Sequence, residues 1–126
     1  MRIGPGCFGS GLSQKNSMLT ESDIQSAVDF LHHKAGEAAE ARAQHEFLDG
    51  MTKTVLAGIA SKSNESSQAA RESWARQHPD FLVHLEGLKA AAAKDYEFRM
   101  KREAATAKLD AWRTQEASRR GADRAG

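Results

Sequence analysis

The chain has 126 residues, 40% of them hydrophobic and only 6% aromatic, with a mean hydropathy of −0.62 and a formal net charge of +1. That length leaves room for one domain, and alanine supplies much of the apolar count, so a few large side chains at the right spacing must carry the burial. A single cysteine, Cys7, excludes an intramolecular disulfide and a cysteine-based zinc site, and a reducing compartment is the simpler expectation. No apolar run reaches the roughly 18 residues of a membrane span, and Met1 to Ser17 lacks the apolar stretch of a signal peptide, which predicts a soluble, cytoplasmic protein. The charge is unevenly spread: residues 1–97 hold 10 Lys or Arg against 13 Asp or Glu, whereas residues 98–126 hold 8 against 4. A polyanion contact is therefore expected only near the C-terminus.

Residues 1–17 read as a flexible leader, since Gly4, Gly6, Gly9 and Gly11 with Pro5 offer no periodic apolar face. Met18 is an alternative start. Gly4, Gly6 and Gly9 match the spacing of a dinucleotide-binding fingerprint, but that motif works between a strand and a helix and only three residues precede it here.

A helix is predicted from Glu21, with Thr20 to cap free amides and Glu21 and Asp23 at the positive end of the dipole. Ile24, Val28, Leu31, Ala35 and Ala38, then Leu48, Met51, Val55 and Ile59, keep three- and four-residue steps, interrupted around Arg42 and His45. The pattern predicts one helix over 21–60, with Gly36 or Gly50 as the place for a kink or a close helix approach. Ser61 to Ser67 is the internal linker, and a short helix over 66–77 follows. His78 and Pro79 end it, and a second long helix is predicted over 80–118, before a disordered tail over 121–126.

Along the second long helix, Phe81, Leu85, Leu88, Ala91, Asp95, Phe98, Arg102, Ala105, Leu109 and Trp112 form a heptad-like seam. Asp95 and Arg102 stand where apolar residues would stabilise more, and polar seam residues set register or oligomeric state at a cost in stability. Seven residues apart, they are expected to pair with a partner helix rather than with each other. Asp95 with Arg99, Glu97 with Lys101 and Arg99 with Glu103 are i, i+4 pairs.

Few residues suggest chemistry. His32, His33, Glu37, Glu40, His45 and Glu46 are the dense group of potential ligands, and His33 with Glu37 shares one helical face. A metal would need further ligands, and the paired Glu-x-x-His motif of carboxylate-bridged bundles is missing, so a solvated polar face is the expectation. No serine sits in a nucleophile turn and Cys7 lies in the leader, which leaves no catalytic, metal or cofactor residue to name. Arg99, Lys101, Lys108, Arg113, Arg119 and Arg120, with Arg102, are interleaved with Tyr96, Phe98 and Trp112, a composition that suits phosphates and bases. Cations late in a helix also complement its dipole. Trp74, beside Arg71 and Arg76, is expected to contact the core, with a role as an exposed protein anchor as the alternative.

The segment Lys101 to Gly121, through Ala111-Trp112-Arg113-Thr114 and Arg119-Arg120, resembles the C-terminal helix of small helical proteins of tailed bacteriophages and prophages. The resemblance covers about a sixth of the chain and implies an accessory role in a bacterial host, without identifying an activity. The expected fold is all-α: two long antiparallel amphipathic helices with a short connecting helix, completing a bundle or coiled coil by oligomerisation. The expected function is non-enzymatic: a homo-oligomer, dimer favoured, that uses Leu85, Leu88, Asp95, Phe98, Arg102, Leu109 and Trp112 as its oligomer or partner seam and binds or modulates a host or phage protein. An accessory nucleic-acid-binding role for the basic C-terminus is the alternative.

Overall fold

A computed structural model of the chain describes residues 18–125. The expectations for the leader, its glycine spacing and Cys7 lie outside these residues. The described chain is all helical, without a strand among its residues: α1 is Glu21–His33, α2 Ala35–Ala60, α3 Gln68–Arg76 and α4 Pro79–Ala125.

Three of the four helices, α1, α3 and α4, begin where a local signal says they should. At α1, the Thr20 hydroxyl accepts from the Asp23 amide at 3.2 Å while the Asp23 carboxylate accepts from the Thr20 amide at 2.8 Å, a reciprocal capping box. Donation to the Asp23 carboxylate from the Thr20 amide, and at 3.1 Å from the Thr20 hydroxyl, holds the Asp23 carboxyl below its ordinary 3.8. Ser67 caps α3 by accepting from the Ala70 amide at 3.1 Å. Pro79 opens α4, and the His78 ring accepts from the Asp80 amide at 3.0 Å.

The expected single helix over 21–60 is divided. Lys34, at φ −101° and ψ 2°, separates α1 from α2, in the sparsely occupied bridge region rather than the helical one. Both segments pack on α4, and the bend falls two residues before Gly36, where the helix is weakest. Neither Gly36 nor Gly50 marks a close helix approach: a Cβ added at either would meet nothing within 4 Å. Gly50 lies inside an unbroken α2. The short helix is trimmed to Gln68–Arg76, and α4 runs through the segment expected to be disordered, as far as Ala125. Gly121 and Asp123 disfavour helix there, and Ala122, Arg124 and Ala125 favour it.

The most extensive interface joins α2 to α4, and α1 continues it along the second half of α4. Pairings run in opposite order on the two sides: Thr52 meets His84, His45 meets Asp95 and Leu19 meets Gln115. The apolar core sits at the α2–α3–α4 corner, where Leu56, Ile59, Ala60, Ala75 and Phe81 are buried and Val55 packs against them. Elsewhere the buried hydrophobic residues are Ala27, Ala41 and Ala105. Val28, expected on the buried stripe, is exposed.

Candidate functional site

The polar residue on the α4 seam meets the polar interruption of the α2 stripe. His45 Nδ1 lies 2.8 Å from Asp95 Oδ2, and because a carboxylate only accepts, Nδ1 carries the proton. Asp95 is 6% exposed, the buried charged residue of the described chain. The hydrogen bond from His45 holds its carboxyl below the ordinary 3.8; burial pulls the other way, and the charges of Arg99, His45 and Arg42 add to the lowering. The His45 ring also meets Tyr96 edge-on, with centroids 5.5 Å apart. The partner helix expected for Asp95 is α2 of the same chain, fifty residues away.

Two further polar links flank this one. The Thr52 hydroxyl donates to the Leu48 carbonyl at 3.2 Å, so the 2.9 Å contact with His84 is completed by a proton on His84 Nε2. Gln115 closes on the backbone of Leu19 from both ends of its amide, accepting from the Leu19 amide at 3.1 Å and donating to the Leu19 carbonyl at 2.9 Å. None of these partnerships has a spacing signal, because they join residues far apart in the chain.

The rest of the seam divides between buried and exposed positions. Leu88, Phe98, Leu109 and Trp112 are half-buried, Arg102 is exposed and Leu85 lies at the edge of exposure. Comparison with known proteins gives no match. No family model, no curated protein and no solved structure matches the chain.

The basic residues do not form one patch. Lys101, Lys108 and Arg119 fall within about 20° of one another around the helix, whereas Arg99, Arg113 and Arg120 share a separate sector about 100–180° away, at about 100° per residue. Lys101 is paired with Glu97 at 2.9 Å, Arg113 with Asp110 at 3.1 Å and Arg119 with Glu116. The i, i+4 pair of Glu97 with Lys101 thus forms, while the Arg99 guanidinium lies over the Tyr96 ring at 5.3 Å to its centroid. Among the described residues no group of three or more His, Cys, Asp or Glu is placed to hold a metal. His32 packs edge-on against His33, and His45 turns inward. Trp74, expected in the core, is 38% exposed and tilts against His78 at 5.1 Å between centroids.

A feature missed by the seam spacing is a second apolar row on α4. Leu82, Leu85, Tyr96 and Met100 are 51%, 37%, 50% and 57% exposed. Leu82 and Met100 are five whole helical turns apart, and Leu85 and Tyr96 lie within about 60° of that line. The row extends about 27 Å, interrupted by Lys89. Its signal in the sequence is the same three- and four-residue step, overshadowed by the longer seam beside it.

Proposed function

We propose that this chain is a non-enzymatic helical interaction protein, of the kind carried by tailed phages, that dimerises and in that form binds or modulates a host or phage protein. The exposed row Leu82, Leu85, Tyr96 and Met100 carries this reading. Large apolar side chains aligned along one helical face mark an interaction surface more specifically than scattered ones. The occupant is a second copy of the chain. A two-fold axis crossing the row midway lays Leu82 of one copy over Met100 of the other and Leu85 over Tyr96, so the row complements itself. The intramolecular pair of helices then becomes half of an antiparallel bundle, and Trp74, outside the apolar core, offers a separate anchor for the second protein.

Sedimentation equilibrium tests the assembly. The native chain should sediment as a dimer, and Leu82→Glu with Met100→Glu should give a monomer of unchanged helicity by circular dichroism. A native chain that stays monomeric at every concentration overturns the proposal. The nucleic-acid alternative draws less support, because its basic residues occupy separate sectors of α4 and several are already paired.

A further inference from the structure

Where α1 gives way to α2, the two helices and α4 enclose a cleft of about 280 Å3. Its apolar surface comes from Phe30 and Leu31 at the end of α1 and from Phe98 of α4. Ala35, Ala38 and Ala39 line the α2 side, and their small side chains leave the space open. The cleft follows from the break at Lys34, which parts the last turn of α1 from the first turn of α2.

Four cations border this small apolar space, and they are not equivalent. Lys34 is held by Glu37 at 3.1 Å and Arg42 by Glu46 at 3.0 Å. Arg99 and Arg102, on successive turns of α4, form no ion pair among the described residues, and both line the cleft. Asp95 is the carboxylate of the lining, and it already accepts from His45. Arg99, whose guanidinium lies over the Tyr96 ring, and Arg102, neither of them ion-paired among the described residues, thus line a cleft otherwise lined largely by aromatic and aliphatic carbon.

We propose that this cleft binds a small amphiphilic carboxylate, an aryl or short acyl monoanion, with its apolar body against Phe30, Leu31 and Phe98 and its carboxylate on Arg99 and Arg102. A guanidinium donates paired N–H groups in the geometry a carboxylate accepts. Apolar walls with a few converging polar groups are the usual make-up of a ligand site, and the volume lies at the small end of that range. A polyphosphate is a poor match, because two free cations do not neutralise it and Asp95 repels it. A neutral ligand would leave Arg102 without an anionic partner and Arg99 with the Tyr96 ring alone.

The test is calorimetric titration of the full chain with 1-naphthoate, with 1-naphthylmethanol as the uncharged body and acetate as the anion without a body. Naphthoate should bind one per chain and saturably, and both other compounds at least about tenfold more weakly, the effect of losing one charge-assisted contact or the apolar body. Arg99→Gln with Arg102→Gln should weaken naphthoate by about tenfold or more. Arg113→Gln, away from the cleft, should leave it unchanged. Circular dichroism identifies variants that retain their helicity, and Ala39→Leu provides a second blocking variant that fills the cleft while leaving its charges. Equal affinity for naphthoate and naphthylmethanol, indifference to the Arg99 and Arg102 replacements in a folded variant, or no saturable binding of naphthoate overturns the proposal.

Discussion

At the corner where α2 turns through α3 into α4, Leu56, Ile59, Ala60, Ala75 and Phe81 close on one another. Along the remainder of the helical pair the buried apolar residues are alanines, large side chains such as Leu88, Phe98 and Leu109 are only half-buried, and hydrogen bonds at His45–Asp95 and Gln115–Leu19 join the two sides. Apolar contact is non-directional, so the corner supplies cohesion without fixing how far one helix slides along the other. Buried hydrogen bonds contribute little net stability but fail at every wrong register, because each misplaced donor or acceptor stays unsatisfied. One end of the pair thus holds the helices together and the other end aligns them.

The contrast is broken most severely at Phe81, which is 4% exposed. Phe81→Ala should cost about 3–5 kcal/mol in urea unfolding, and a loss under about 1 kcal/mol would move the main source of cohesion elsewhere.

At the aligning end, His45→Ala strands the Asp95 carboxylate without its donor. Its unfolding midpoint should drop further than that of the double variant His45→Leu with Asp95→Leu, which removes the buried charge altogether. A double variant less stable than the single one would show that the pair contributes cohesion as well as register. The same pair sets an acid limit. The Asp95 carboxyl is held below 3.8 in the folded chain, so the unfolded chain binds more protons as the solution is acidified. Its contribution is complete above pH 3.8 and is lost as pH falls through the lowered folded value. Stability measured across that range should decline less steeply in His45→Ala than in the native chain.

A smaller loss is expected at Gln115. Removing its amide by Gln115→Ala frees both backbone groups of Leu19 and should cost about 0.5–1.5 kcal/mol per hydrogen bond lost. Hydrogen exchange at the Leu19 amide should accelerate while the α2–α3–α4 corner keeps its protection. The smallest effect has the opposite sign. Gly58 lies in α2 and Gly87 in α4, and an added Cβ at either meets nothing within 4 Å. Gly58→Ala or Gly87→Ala should therefore stabilise the chain by about 0.5–1 kcal/mol in the same urea assay.

The local architecture follows from signals between near neighbours in the chain. Thr20, Ser67 and the His78-Pro79 step start helices through bonds between neighbours, and the absence of proline from the long stretches lets the helices run. The α4 seam was legible for the same reason, since three- and four-residue steps place Phe81, Leu88, Asp95 and Leu109 along one side. Only the tertiary structure decided what that seam meets. His45 and Asp95 each look like a flaw in an apolar stripe, and one becomes the partner of the other only when α2 and α4 lie in opposite directions. The break at Lys34 was legible only in part: Gly36 marked its neighbourhood, but Gly50 offered an equal weakness, and Lys34 and Ala35 are themselves good helix formers. Capping and periodicity act over a few residues and can be read along the chain, whereas hydrogen bonds across fifty or ninety-six residues depend on a distance that only the folded chain defines.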